Sequence, residues 1–193
     1  MTGALPFSPL PQPAEAVLNF WFVKLEKSQW FASSDAVDAH IAERFGSLLE
    51  SASAGKCDDW ADTPKGALAL VIVLDQFSRN IHRGTALAFA NDAKALGLTL
   101  KAIDTGQDER LSLDERQFLY MPLMHAEDRD IQKLSLEKFE SLAGSAATIV
   151  DFAEKHRDIV EQFGRFPYRN DVLGRASTGQ EREYVEKHGN PFG

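Results

Sequence analysis

Two short segments of this chain combine arginine, asparagine and an aromatic residue at points where a helical pattern ends. The first is Asp75-Gln76-Phe77-Ser78-Arg79-Asn80-Ile81-His82-Arg83-Gly84, and the second is Gly164-Arg165-Phe166-Pro167-Tyr168-Arg169-Asn170. A planar guanidinium forms paired hydrogen bonds to carboxylates and phosphates that the ammonium group of lysine cannot form. The two segments therefore predict either ion pairs that hold the fold together or a pocket that binds an anion.

The second segment, extended to Arg175, holds three arginines, no lysine and one acid, Asp171. Its arginines either reach acids elsewhere in the chain or face a ligand. In the first segment, Asp75 and Arg79 lie four residues apart, which places both on one face of a helix. They predict a buried ion pair or, alternatively, an aspartate that orients Arg79 toward a bound anion. The ligand-binding candidates are Asp75, Arg79, Asn80, Arg83, Arg165, Arg169, Asn170 and Arg175.

Four residues form the best candidate set for catalysis: His125, Glu127, Asp128 and His156. A histidine beside carboxylates can move protons or bind a metal. The alternative is structural, because both histidines continue apolar helical stripes and the two acids suit a helix N-terminus. The spacing matches no metalloenzyme motif, and no P-loop, GxGxxG, GxSxG or CxxC pattern is present. We therefore predict no metal and no cofactor.

The composition of the chain limits its partners. It has 193 residues, 44% hydrophobic and 26% charged, which is typical of one ordinary globular domain. A formal net charge of −8 disfavours nucleic acid and anionic membranes as partners. The longest apolar run, residues 67–74, is far shorter than a membrane span, and the single cysteine suits a reducing compartment. We expect a cytoplasmic protein without membrane insertion.

The elements that must position these residues are helices. Apolar residues recur at helical spacing nearly throughout, with starts near 13, 34, 64, 85, 113, 127, 146 and 179, and no pair of strands is convincing. The sequence therefore predicts an all-α fold of about eight helices. Because the connections are short and the starts follow no fixed interval, we expect antiparallel helical hairpins without a regular sequence repeat. A proline-rich extended arm, 1–13, precedes a single helical domain, 14–193.

Local signals predict several helix boundaries. Residues 112–115 and 178–181 have capping-box spacing, and Thr63-Pro64 and Ser34 are strong helix starts. One helix is expected to open at Thr85 and run to Gly106. Pro122 is expected to kink or end the helix that begins near residue 113, because proline lacks the backbone donor.

Four ordered motifs carry a resemblance to a known family. They are FWF near the start, LALVIVLDQFSRNIHRG, FLYMPLMHAED and FGRFPYRNDVLGRAST. Over about residues 14–192 the chain resembles a largely bacterial family catalogued as domain of unknown function 924. The resemblance implies an all-helical, tetratricopeptide-like fold and no established activity. The family pattern has proline, glutamate, serine and histidine where this chain has Ser78, Met124, Ala126 and Tyr168, respectively.

Three functions fit these observations. The leading hypothesis is a helical binding module whose Arg/Asn-lined pocket holds a small anion or the acidic part of a peptide. The second is a hydrolase or transferase that acts on an anionic substrate, with His125 or His156 moving a proton close to the arginines. The third makes the Arg-Asn motifs purely structural. A homodimer is compatible with a helical stack, by analogy of fold alone.

Overall fold

The regular structure of the protein is helical in the computed structural model, which describes residues 10–142 and 147–191, apart from the side chains of residues 147–150. The α-helical segments are α1 (Gln12–Asn19), α2 (Asp35–Ser53), α3 (Pro64–Val71), α4 (Ser78–Ile81), α5 (Asp92–Asp104), α6 (Leu113–His125), α7 (Arg129–Ser141), α8 (Ala147–Phe163) and α9 (Gly179–His188). A π-helical segment, Ile72–Phe77, joins α3 to α4 without a break, so these segments make eight helices. No strand occurs in the described ranges, which confirms the all-α prediction.

Side-chain caps start several of these helices where the sequence predicted them. Ser34 and Thr63 each accept a hydrogen bond from a backbone N–H in the first turn of their helices, α2 and α3. Ser112 and Thr178 each form a capping box with the glutamate three residues further on. Each cap satisfies donors that the helix itself leaves unpaired. These helix starts are confirmed.

The helix predicted to run from Thr85 to Gly106 is interrupted. A 3₁₀ turn, Ala86–Phe89, comes first, and α5 begins only at Asp92. At the break, the Asn91 side chain donates a hydrogen bond to Ser78 Oγ at 3.0 Å. Asn91 thereby fixes the chain against α4, a contact that helix periodicity does not reveal. The interruption places Phe89 and Asp92 where the candidate site lies.

Other boundaries also differ from the sequence prediction. Pro122 does not end α6, which continues to His125 and packs against α5 and α7 on either side. Packing outweighs the one backbone hydrogen bond that proline cannot donate. Helix α1 begins at Gln12, within the predicted arm, whose residues 1–9 lie outside the described part of the chain. The predicted start of α8 near residue 146 also lies outside it, and α8 is described from Ala147.

The α3–α4 helix is the centre of the fold. It contacts α1, α2, α5 and α6, and every residue from 67 to 78 in it is buried. Aromatic rings surround its C-terminal half, with Phe77 4.9 Å from Phe45 and 5.8 Å from Trp21 between ring centroids. A helix that is apolar on all sides belongs in such a position. Its few polar residues, Asp75 among them, are consequently carried into the interior.

The C-terminal region closes one side of this core. Helices α6, α7 and α8 pack in succession, and α8 ends at Gly164, whose φ of 73° suits glycine. Beyond it, a short 3₁₀ turn, Pro167–Arg169, contacts α9, and Phe166 is buried with Val160. This turn directs Arg169 inward. No helix in the described ranges is long and apolar enough to cross a membrane.

Candidate functional site

Asp75 lies at the centre of a buried polar cluster. Its Oδ1 is 2.8 Å from His125 Nδ1 and 2.9 Å from Arg79 Nη1, and its Oδ2 accepts a hydrogen bond from Gln76 Nε2 at 2.5 Å. Burial alone would raise the pKa of Asp75, but Arg79 and His125 together lower it to about 2. Asp75 is therefore a carboxylate at neutral pH, and it accepts a hydrogen bond from the Nδ1–H group of His125.

Arg79 is fully compensated by two carboxylates. Besides Asp75, it donates two hydrogen bonds to Asp92, at 2.9 and 3.0 Å. The predicted pair of Asp75 and Arg79 is thus present, and Asp92 completes it. Although burial alone would lower the pKa of Arg79, the two acids raise it above its ordinary value. These contacts favour a structural role for Arg79.

Arg169 is compensated much less well. It is 6% exposed, and its Nε has no hydrogen-bond partner in the described structure. Its Nη1 donates to the backbone oxygen of His125 at a long 3.3 Å and lies 3.5 Å from Asp92 Oδ2, which already binds Arg79. Its guanidinium carbon lies 4.6 Å from the ring centroid of Phe89 and 4.5 Å from that of Phe166. Burial lowers the pKa of Arg169, a direction that fits a cation short of acceptors.

The other predicted arginines pair with acids that are distant in the sequence. Each forms a two-point contact with a carboxylate, the geometry that guanidinium prefers. The pairs are Arg83 with Asp38, Arg165 with Glu181, and Arg175 with Glu127. Asp171 was the one acid within residues 164–175 of the sequence. The structure brings acids from other parts of the chain to pair with Arg165 and Arg175 instead. The contacts favour structural roles for all three arginines.

Both predicted asparagines also have protein partners. Asn80 donates a hydrogen bond to Asp38 at 2.7 Å, so this acid links Asn80 to Arg83. Asn170 is buried, donates to Ser177 and accepts from Arg175 Nε at 2.9 Å. The asparagines thus extend the ion pairs into small networks at the ends of the helices.

The structure separates the two acids of the predicted catalytic set from its two histidines. Asp128 caps α7 by accepting hydrogen bonds from two backbone N–H groups, and Glu127 accepts from Phe166 N and Arg175. The two histidines come together, with ring centroids 6.1 Å apart. His156 Nδ1 lies 2.8 Å from a backbone oxygen of its own helix, and burial lowers the pKa of His156 to about 3. His125 and His156 are therefore both neutral at pH 7.

Two cavities meet at these residues. The first, of about 340 Å³, is also lined by Phe89, Tyr168 and Arg169. The second, of about 300 Å³, has a mixed lining that includes Trp30, Phe31, Phe152, Met121 and Met124. Both cavities are lined by Arg79, Arg83, His125 and His156. The least compensated arginine and the two neutral histidines thus line one open space.

His125 is oriented for proton transfer. Because Nδ1–H donates its hydrogen bond to Asp75, the lone pair of the neutral ring lies on Nε2, for which no hydrogen bond is found in the described ranges. Burial and then Arg79 lower the pKa of His125, partly opposed by Asp75. Chemically, this is a neutral base beside buried cations. No group of three His, Cys, Asp or Glu side chains among the described residues could hold a metal ion.

Sequence reasoning missed Asp92, Phe89 and Asp38, which complete the cluster and the neighbouring pair. Asp92 and Asp38 lie in the first turns of α5 and α2, where acids are favoured by the helix dipole alone. Nothing in the sequence separates that role from pairing with a distant arginine. Met124 and Tyr168, two of the departures from the family pattern, line the second and the first cavity, respectively.

The fold and these motifs place the chain in one family. Residues 17–189 match the model of a family described as bacterial protein of unknown function (DUF924), and the chain belongs to that family. A solved structure of a protein of unknown function from Agrobacterium tumefaciens, ATU0120, is 39% identical, with a TM-score of 0.85 over 90% of this chain and 97% of that chain. No curated protein matches the chain.

Proposed function

We propose that the first cavity binds a small anion and that Arg169 anchors it. The observation that carries this proposal is the buried side chain of Arg169, which lines the cavity and whose Nε has no hydrogen-bond partner in the described structure. A buried guanidinium N–H without an acceptor is costly, and an anionic ligand would supply the missing hydrogen bond. Two aromatic faces hold the guanidinium in place, so little side-chain entropy would be lost on binding.

The charge distribution supports one anchor rather than a general basic patch. Arg79 and Arg83 line the same cavity, yet each already binds a carboxylate in two-point geometry. They contribute positive potential to the cavity, but the paired N–H donors of each guanidinium are already used by a carboxylate. Arg165 and Arg175 line neither of the two cavities described above. The proposed binding set is therefore the guanidinium of Arg169, supported by the positive charge of Arg79.

Isothermal titration calorimetry with acetate and inorganic phosphate tests the proposal, in a buffer without competing anions. We expect saturable binding to the native chain and at least tenfold weaker binding to Arg169→Met, because a charge-assisted hydrogen bond contributes about 1.5–3 kcal/mol. The matched control is Arg129→Met, which removes an exposed arginine outside both cavities. No binding of either anion, or equal binding to both variants, would count against the proposal.

A second candidate function uses the same cavity for proton transfer. It is favoured by the contact between Asp75 and His125, which leaves the Nε2 lone pair of a neutral imidazole without a protein partner. A dicarboxylic monoester anchored at Arg169 would place its ester near that lone pair. Water would attack the acyl carbon while its proton passes to Nε2, and the departing alkoxide would leave with that proton.

Hydrolysis of such monoesters, followed by acid release in a pH-stat, tests this second candidate. His125→Gln should abolish turnover and keep the binding of the free dicarboxylate, while His82→Gln, outside the two cavities, should leave turnover unchanged. Turnover of the His125→Gln variant equal to that of the native chain would exclude His125 as the base. Binding without any turnover would leave only the binding function.

The arrangement of the helices as a tetratricopeptide-like stack stays a prediction. The successive packing of α6, α7 and α8 supports it, and the central position of the α3–α4 helix, which contacts four others, is not a feature of a simple linear stack. A homodimer also stays a prediction. Neither is required for the proposed binding of an anion.

A further inference from the structure

We infer that the ligand is an amphiphilic organic acid, with its carboxylate at Arg169 and an apolar chain in the second cavity. This inference rests on the proposed function of the first cavity and extends it to a class of ligand. The two cavities have volumes of about 340 and 300 Å³ and are lined by the same two arginines and two histidines. A ligand held at Arg169 therefore has a second space beside its anionic group.

The second cavity is built for apolar groups. Beyond the four shared residues, its lining includes Trp30, Phe31, Met121 and Met124. Trp30 is fixed by a hydrogen bond from its Nε1 to the backbone oxygen of Trp21 at 2.8 Å. Methionine adapts its shape to an occupant at low cost, and aromatic walls bury large apolar areas. An alkyl chain in this cavity would contact these apolar side chains instead of water.

Exposed aromatic residues continue the lining of the second cavity toward solvent. Phe31 is 57% exposed and Phe152 is 40% exposed, and both line this cavity. The Phe31 ring is stacked on Phe118, with centroids 6.0 Å apart and planes 9° apart, so its position is set by the core. Large apolar side chains held in solvent beside a cavity are typical of a binding site. An apolar chain would bury them.

The first cavity determines which end of the ligand carries the charge. Arg169, with its unpartnered Nε, lines the first cavity and not the second. Polar side chains in the second cavity beyond the shared four are uncharged, such as Gln117 and Ser33. A second anionic group placed there would be desolvated without a dedicated cation. The geometry thus assigns one carboxylate and one apolar tail to the ligand.

Calorimetric titration with straight-chain monocarboxylates, from acetate to octanoate, tests the inference. Each added methylene should tighten binding about three- to fourfold until the second cavity is filled, because burying one methylene is worth about 0.8 kcal/mol. Phe31→Ser should reduce this gain and keep the affinity for acetate. The matched control is Leu113→Ser, which removes an exposed apolar side chain outside both cavities and should behave like the native chain.

The outcomes separate this inference from the proposed function. If acetate binds and affinity does not increase with chain length, the amphiphilic ligand is excluded and the anion site stands. If phosphate binds but no acid of any length does, only this inference fails. If neither phosphate nor any acid binds, both proposals fail. A gain with chain length that Phe31→Ser and Leu113→Ser reduce equally would place the chain outside the second cavity and overturn the inference.

Discussion

Arg79, which is half-buried, and Arg169, which is buried, share one acid but should differ in how much stability their removal costs. Arg79 neutralises Asp75 and Asp92, so Arg79→Met leaves two carboxylates short of their counter-charge, and we expect the free energy of unfolding to fall by about 3–5 kcal/mol. Arg169 shares Asp92 with Arg79, so Arg169→Met leaves no acid without a counter-charge. We expect this variant to change the free energy of unfolding by less than about 1 kcal/mol. Urea denaturation of both variants measures the difference. Equal losses would show that Arg169 is a structural residue like Arg79.

The lowered pKa of His156 should make the stability of the fold depend on pH. Burial, and then His125, lowers its pKa to about 3 from the ordinary value of 6.5. Between these values the unfolded chain binds a proton that the native chain does not, so the stability of the fold is fully present above pH 6.5 and declines below it. His156→Gln should reduce this decline by about 1.4 kcal/mol per pH unit. Urea denaturation between pH 7 and pH 4 measures it, and an unchanged slope would contradict a neutral buried His156.

Residue types alone predicted part of the site. The sequence indicated the pair of Asp75 and Arg79 because four-residue spacing on a helix has one geometric meaning. It could not separate Arg169 from Arg165, since both lie in one loop beside aromatic residues. The difference between them comes from Glu181, which binds Arg165 from the start of α9. Such partners depend on tertiary packing, which periodicity does not contain.

At the scale of elements, the start of the central helix depends on one glycine. A Cβ at Gly66 would lie 2.1 Å from the backbone oxygen of Trp60 and 2.8 Å from Thr63 Oγ1. We expect Gly66→Ala to lower the free energy of unfolding by about 1–3 kcal/mol, because backbone atoms must move. Gly97→Ala in α5 is the matched control, since nothing lies within 4 Å of its Cβ, and it should raise stability by about 0.5–1 kcal/mol.

Thermal or urea denaturation of the two glycine variants gives the comparison. If Gly66→Ala is as stable as the native chain, the start of α3 is not held as closely against Trp60 as the structure requires. The two variants share one chemical change, so their difference isolates the local contact.

Helix caps were predictable and helix interruptions were not. Caps at Ser34, Ser112 and Thr178 are local signals, because the side chain bonds to backbone groups within three residues. Two interruptions depend instead on packing against other helices. They are the break between Phe89 and Asp92 and the π-helical segment that carries Asp75. Both departures lie beside the candidate cluster, where π-helical segments are often functional.

At the scale of the whole molecule, the net charge is negative, whereas the first cavity is lined by arginines. The net charge of −8 comes from the sequence as a whole, while half-buried Arg79 and buried Arg169 both line the first cavity. Acids on the surface repel other anions at long range. A small anion that enters the cavity meets the arginines instead. The all-α class was predictable from periodicity, and the packing of four other helices against α3–α4 was not.

The central claim is that the Nε–H of Arg169 receives an anionic ligand, and its nuclear magnetic resonance signal tests this most directly. In a ¹H–¹⁵N spectrum, the Arg169 Nε–H resonance is assigned by its disappearance in Arg169→Met. On titration with octanoate, we predict that this resonance shifts in a saturable manner while that of Arg165, which Glu181 already binds, stays in place. An Arg169 resonance that does not respond to octanoate, acetate or phosphate would contradict the account.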